Sequence, residues 1–277
     1  MTIAKERIDI LLVEQGFYDS RVKAKAALMA GLVIVDGERI EKSGMKVSRT
    51  ASIVVKGALH PYVSRGGLKL EKAIKKFQLE LSGAVMLDIG ASTGGFTDCA
   101  LQNGAAYVYA VDVGYNQLDW SLRQDERVNV MERTNFRYTV PEDLKGPQPT
   151  FATIDVSFIS LKLILPTLGT LLKQGAGVVA LIKPQFEAGR EKVPKTGVVR
   201  ESAVHREVLE QVLSMAASEG YVLEQLTFSP ITGGEGNIEF LAYWRWEPGS
   251  QSEPPGEEAI AAVVKEAAGT FSQESKG

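Results

Sequence analysis

The stretch Leu87-Asp-Ile-Gly-Ala-Ser-Thr-Gly-Gly-Phe-Thr-Asp98 decides the fold. An apolar, β-prone run over residues 85–89 enters a turn holding Gly90, Gly94 and Gly95, and a helical pattern follows to about residue 103. Strand, glycine turn and helix form the unit by which a doubly wound sheet receives an adenosine-bearing ligand. Glycine lets backbone approach that ligand with no Cβ in the way, and the helix start offers unpaired N–H groups. Tyr107-Val-Tyr-Ala-Val-Asp112 then reads as a second strand ending in a carboxylate, placed to accept both hydroxyls of a ribose.

The glycine spacing narrows the ligand. Dinucleotide enzymes favour G-x-G-x-x-G. Here the pattern is Gly90-x-x-x-Gly94-Gly95, with Asp88 ahead of it on the strand. An acidic residue on the first strand and a looser turn fit S-adenosylmethionine, which has no pyrophosphate to cradle. The plain alternative is an ordinary glycine-rich strand–helix turn, against which Asp112 at the ribose position argues.

Outward from this turn, strand patterns fall at 85–89, 107–111, 128–132, 151–155, 177–183, 222–229 and 238–246. Helical patterns fall at 94–103, 115–124, 160–173 and 202–219. The alternation predicts a seven-stranded, doubly wound α/β sheet. Its last two strands, joined only by Gly233-Gly-Glu-Gly236, pair antiparallel. Ligands bind beyond the carboxyl ends of the parallel strands. Asp155 and Lys183 end two such strands, and Glu239 begins the antiparallel one, so all three reach one rim. A helix over 68–79, with Leu70, Ile74 and Phe77 as its apolar stripe, brings Lys69 toward the same rim. The start of a helix does not favour a cation, which makes Lys69 a hint of function. Singly, such charges are commonly solvated strand ends; together, beside a cofactor turn, they form a candidate catalytic set.

The N-terminal residues read differently. Short helices over 7–17 and 21–30, the second capped by Ser20 and ended by Gly31, precede a hairpin with Asp36-Gly37 at its turn. Residues 1–80 carry 15 Lys/Arg against 9 Asp/Glu, whereas residues 81–246 carry 14 against 19. A basic module on an acidic body suggests a polyanion partner, most simply nucleic acid. Residues 57–66, with Pro61, read as a linker. The tail 247–277 carries 2 Lys/Arg against 6 Asp/Glu and reads as an acidic, disordered segment, with a marginal helix over 259–268. No apolar run approaches the roughly 18 residues of a membrane span, and the N-terminus lacks a signal-peptide core. With one cysteine, Cys99, there is no internal disulfide, and the two histidines, His60 and His205, supply no zinc site. A cytoplasmic setting, without stable membrane association, follows.

Two sets of residues carry a resemblance. Arg7, Asp9, Leu11, Leu12, Gly16, Ser20, Arg21, Ala24, Gly31, Val33, Val35, Asp36 and Gly37 resemble the S4-like RNA-binding domain. Asp155-Val-Ser-Phe-Ile-Ser160, Ile182-Lys-Pro-Gln-Phe-Glu187 and Gly236-Asn-Ile-Glu239, with the glycine turn and Ser64-Arg-Gly-Gly-Leu-Lys69, resemble FtsJ-like RNA 2′-O-methyltransferases. The combination is similar to the TlyA family of ribosomal RNA methyltransferases, also labelled hemolysins. The resemblance implies a Rossmann-like methyltransferase sheet over 64–246 behind a small α+β S4-like domain and linker over 1–63. It implies methyl transfer from S-adenosylmethionine to a cytidine 2′-hydroxyl in ribosomal RNA, of the large subunit and in some members also the small one.

On this reading Lys183 is the base, Lys69 and Glu239 position it and the ribose, and Asp155 orients Lys183 and borders the cofactor's methionine. A lysine base must fall well below its reference pKa of about 10.4. Burial and Lys69 lower it; Asp155 and Glu239 raise it. Asp88, Gly90, Ser92, Gly94, Gly95, Phe96, Asp112 and Asp155 are the cofactor candidates, and Arg7, Arg21, Lys23, Lys25 and Arg65 the RNA candidates. No metal is called for. The partly basic segment 185–200 is either a loop that closes over RNA or a solvated surface loop. The competing readings are a membrane-active hemolysin, a nicotinamide-dependent oxidoreductase and a non-catalytic RNA-binding assembly factor.

Overall fold

The computed structural model describes residues 5–15, 17–18, 20–55, 60–233, 236–250 and 255–274. The chain forms two compact units, Met1–Leu59 and His60–Gly277. In the first, β1 (Lys5–Arg7) leads into α1 (Ile8–Glu14) and α2 (Arg21–Met29), followed by β2 (Val33–Val35), β3 (Glu38–Arg39), β4 (Lys46–Ser48) and β5 (Ile53–Val55). The Ser20 hydroxyl accepts the Lys23 N–H and caps α2, as its position predicts. Asp36 and Gly37 both take positive φ, the requirement of a tight hairpin turn, so β2 pairs antiparallel with β3. On its other edge β2 pairs with β5, while β1 pairs with β4. Ile8, Leu11, Leu12, Leu28 and Val33 fill the small core. The expected helix over 7–17 is shorter than its pattern, and Gly16 lies outside the described residues.

The second unit comprises α3 (Gly66–Phe77), β6 (Val85–Ile89), α4 (Gly95–Gln102), β7 (Tyr107–Val111), α5 (Trp120–Arg123), β8 (Val128–Met131), β9 (Phe151–Ile154), α6 (Leu165–Leu171), β10 (Gly177–Ile182), α7 (Pro184–Glu187), α8 (Ser202–Ser218), β11 (Tyr221–Phe228), β12 (Phe240–Trp246) and α9 (Glu257–Glu274). Its sheet has the order β11-β12-β10-β9-β6-β7-β8. The pairs from β10 to β8 are parallel, and those of β12 with β10 and β11 antiparallel. Successive side chains enter opposite layers: Met86, Val108 and Leu181 pack with α3 and α4, whereas Leu87, Tyr109 and Ile182 pack with α6, α8 and α9. Burial on both faces explains why these strands read as continuous apolar runs.

Four expectations change. The helix expected over 115–124 is only Trp120–Arg123. The carboxylate of Glu132 accepts the N–H groups of Asn116, Gln117 and Leu118 and so holds that stretch as a loop. The helix expected over 160–173 is divided, with a 3-10 turn at Leu161–Leu163 ahead of α6, where Pro166 sits in the first turn. Residues 60–63, expected in the linker, belong to the second unit: Tyr62 is buried in its core and the Val63 N–H donates to Asp98. The tail, expected to be disordered, carries the 18-residue helix α9, which buries Ile260, Val264 and Ala267 against the sheet layer. Residues 57–59 of that linker, and residues 234–235 of the Gly233–Gly236 turn, lie outside the described residues.

Candidate active site

Sheet register brings the charged residues together. Ile89 pairs with Val111 and Ile154, and Ile182 pairs with Phe240, so the parallel strands end at nearly one level where β12 begins. Asp155 and Lys183 are the first residues past β9 and β10, and Glu239 is the last before β12. Lys69, one turn into α3, reaches them from above the β6 layer with its ammonium inserted between two carboxylates. Its Nζ lies 2.7 Å from Glu239 Oε2 and 3.3 Å from Asp155 Oδ2. Lys183 Nζ lies 2.5 Å from Asp155 Oδ1 and 3.2 Å from the Ser157 hydroxyl. The result is one chain, Glu239–Lys69–Asp155–Lys183–Ser157, with Lys69, Lys183 and Glu239 buried. The misplaced cation of α3 thus has its explanation: two carboxylates offset what the helix start does not favour.

Burial alone lifts the pKa of Asp155, but Lys69 and Lys183 outweigh it and hold the carboxyl below its ordinary value. Burial likewise lowers that of Lys69, and Asp155 and Glu239 reverse the effect, leaving it above its ordinary value. At neutral pH, therefore, Asp155 is a carboxylate and Lys69 an ammonium.

Two cavities open at this rim. The larger, about 620 Å³, is lined by Lys69, Asp155, Lys183 and Glu239 together with Ser64, Arg65, Gly95 and Phe96. The smaller, about 350 Å³, lies beyond β6 and β7 and is walled by Ile89, Val111, Phe136 and Ile164 with Asp112 at its edge. Gly90, Ser92, Asp155, Ser157 and Phe158 border both. A largely apolar slot with Asp112 at the ribose position fits an adenosine moiety, and the charged cavity that adjoins it leaves room for a second reactant.

The glycine turn serves more than one purpose. Gly90 has φ +86°, and a Cβ there would stand 2.6 Å from the Asp155 carbonyl oxygen, so only glycine lets β6 and β9 diverge this closely. Gly95 lets α4 cross α3, because a Cβ would meet Gly67 N at 2.7 Å. Gly94 borders neither cavity; Leu118 and Leu122 fill the space beside it, and its contribution is packing. Asp112 accepts the N–H of Ser92 on one oxygen (2.8 Å) and of Gly114 on the other (2.7 Å), which fixes the carboxylate at the smaller cavity.

Asp88 does not reach the cavities. Fully buried, it accepts the hydroxyls of Thr97 (2.7 Å) and Thr153 (2.9 Å), and so ties α4 and β9 to β6. Burial raises its pKa to about 6 in spite of those two hydrogen bonds. Among the RNA candidates, Arg65 lines the larger cavity, and Lys23 and Lys25 are exposed on α2. Arg7 and Arg21 are both ion-paired to the buried Asp9, at 2.9 and 2.8 Å. Within 185–200, Asn237 accepts the Val199 N–H and donates to the Gly197 carbonyl, both at 2.9 Å, so the end of that segment is fastened beside Glu239. Ser157, Phe158 and Asn237 are cavity residues that lie inside recognisable motifs but carry no charge to single them out, and Glu132 had no sequence signal.

The FtsJ-like methyltransferase family matches residues 62–246, and the S4 domain matches residues 6–53. The chain is 58% identical to YqxC of Bacillus subtilis (strain 168), provisionally named an rRNA methyltransferase, over 99% of this chain and 98% of that one. It is 39% identical to the 16S/23S rRNA (cytidine-2′-O)-methyltransferase TlyA of Mycobacterium tuberculosis (strain ATCC 25618 / H37Rv), over 95% and 98% of the two chains. A solved structure from Streptococcus thermophilus, provisionally named a hemolysin, superposes with a TM-score of 0.80 at 50% identity over 100% of both chains.

Proposed function

We propose, since this chain belongs to the FtsJ-like methyltransferase family and its cofactor is S-adenosylmethionine, that it methylates a cytidine ribose 2′-hydroxyl in ribosomal RNA. The observation that carries this reading is the buried Glu239–Lys69–Asp155–Lys183 chain at the junction of the two cavities. The printed names of the TlyA relatives support the nucleotide and the RNA, and the S4 match supports RNA as the partner. Large-subunit RNA is the substrate proposed first; the dual 16S/23S name of the mycobacterial relative favours small-subunit RNA as a second. The cytoplasm, where ribosomal RNA is modified, is the proposed location; among the described residues no helix is long and apolar enough to cross a membrane.

The cofactor supplies an electrophilic methyl group on a positively charged sulfur. When bound, it would be held by Asp112 at its ribose hydroxyls, by the backbone at Gly90 and Ser92, and by Gly95, Phe96 and Asp155 at its methionine portion. Asp88 and Gly94 act at one remove, by keeping β6 and α4 in place. Lys183, as the amine, accepts the 2′-hydroxyl proton while the oxygen attacks, and Asp155 stabilises the ammonium that forms. Lys69 stays charged, keeps Asp155 and Glu239 in place and, with Glu239, orients the ribose. Much of the acceleration comes from alignment of nucleophile, methyl and sulfur. Arg7, Arg21, Lys23, Lys25 and Arg65 hold the RNA backbone.

The test is nucleoside mass spectrometry of ribosomal RNA from cells with and without the protein, together with labelled methyl transfer to purified subunits. A protein-dependent 2′-O-methylcytidine is expected. RNA binding without any methyl mark would leave an assembly factor. Liposome leakage that persists in Lys183→Ala would favour the hemolysin reading.

A further inference from the structure

We propose that Ser157 is a positioning residue for Lys183, whose second N–H it accepts so that the nitrogen lone pair faces the hydroxyl to be deprotonated. This rests on the reading of Lys183 as the base. A neutral amine has two N–H donors and one lone pair. The acceptors around Lys183 Nζ are Asp155 Oδ1 at 2.5 Å and Ser157 Oγ at 3.2 Å. With both donors engaged by the wall, the lone pair takes the direction left open, into the cavity that all three residues line. With Asp155 as sole acceptor, the amine turns about its terminal bond and the lone pair spends much of its time elsewhere.

The step balances. The proton passes from the ribose oxygen to Lys183, the oxygen–carbon bond forms as the carbon–sulfur bond breaks, and the positive charge moves from sulfur to the lysine. The resulting ammonium keeps its bonds to Asp155 and Ser157 and gains a third N–H on the substrate side.

The segment carrying Ser157 is built to hold it there. Phe158, next in the chain, has φ +63°, a left-handed conformation uncommon for a bulky residue, and it turns the backbone sharply after Ser157. Two residues on, the Ser160 hydroxyl donates to Glu187 at 2.6 Å and the Leu161 N–H donates to the same carboxylate at 2.8 Å. Glu187 closes α7, which starts at Pro184 directly after Lys183. The loop after β9 and the segment after β10 are therefore fastened to each other beyond the Lys183–Ser157 contact, and their separation at that contact is set.

Ser157→Ala and Ser157→Thr in the full chain test this, by single-turnover methyl transfer to ribosomal subunits at saturating S-adenosylmethionine, with cofactor affinity from calorimetry. Ser157→Ala is expected to slow transfer by about tenfold or more while cofactor affinity stays within about twofold. Ser157→Thr, which retains the hydroxyl, should recover most of the loss. A wild-type rate in Ser157→Ala, or a threonine variant as slow as alanine, would each overturn the proposal. An active Lys183→Ala enzyme would overturn the reading of the base, and this inference with it.

Discussion

The two units each contain a buried ionic cluster, and the clusters are built to opposite ends. In the second unit two lysines alternate with two carboxylates, the charges cancel, and Lys69, Lys183 and Glu239 are all buried. In the first, one fully buried carboxylate, Asp9, serves two guanidinium groups whose side chains remain 39% and 51% exposed, so one positive charge is left over and faces water. Arg7 grips Asp9 through two nitrogens, at 2.9 and 3.1 Å, which fixes the plane of the guanidinium. A balanced, largely buried chain suits proton transfer, where small changes of charge are strongly felt. An unbalanced pair of oriented arginines suits phosphate, which needs pre-set donors and a net charge.

The contrast is most sensitive at the base. Lys183→Ala should abolish methyl transfer with cofactor binding and fold largely retained, as read by labelled transfer and calorimetry. Lys183→Arg should fail too, since guanidinium stays protonated near neutral pH. Near-normal turnover in the arginine variant would remove proton abstraction from this side chain.

Lys69→Met comes next. It leaves the buried Glu239 without its cation and Asp155 with Lys183 alone, and breaking a buried pair costs about 3–5 kcal/mol. Chemical denaturation should register a loss of that order. A loss under about 1 kcal/mol would mean that the chain is better hydrated than its burial implies. Replacing Arg21, Lys23 and Lys25 together should cost less and act elsewhere. RNA affinity should fall and its dependence on log salt flatten by up to about 2 to 3, at roughly 0.7 to 0.9 for each of the three phosphates no longer neutralised. Cofactor affinity should not move; a change there would mean that the first unit serves the methyl-transfer site directly.

The smallest effect concerns pH. Arg7 hydrogen bonding, opposed by burial and aided by Arg21, holds Asp9 at about 2 against an ordinary 3.8. The unfolded chain thus takes up this proton first as pH falls. The stabilisation is complete above about pH 4 and is lost as pH drops through about 2. The stability gap between the wild type and Asp9→Asn should therefore narrow over that window. A gap that stays constant across it would show that Asp9 contributes packing alone.

Strands were the most legible elements, because both faces of the parallel ones are buried and local composition suffices to mark them. Asp155, Lys183 and Glu239 were legible for a related reason: strand order and direction alone say which residues reach the ligand rim. Residues 115–119 misled, since their helical pattern yields to a carboxylate just past β8, Glu132, that takes up the N–H groups a helix would begin with. α9 was undervalued because a helix of this composition is marginal alone, and its stability comes from Ile260, Val264 and Ala267 packed on a surface that sequence does not display. Asp88 misled by position: it stands on the cofactor strand, one residue before the strand end, yet the pleat turns it toward Thr97 and Thr153.

Residue order alone was enough for the layered sheet, the glycine turn, the rim on which the charges meet and the basic character of the first unit. These follow from side-chain period, turn chemistry and net charge, all of which act over a few residues or sum over many. Which charge answers which was settled in three dimensions. Lys69 meets Asp155 across 86 positions of sequence and Glu239 across 170. Asp9 holds Arg7 and Arg21 rather than facing solvent. Ion pairing depends on distance and on the removal of water, and neither exists until the strands are side by side.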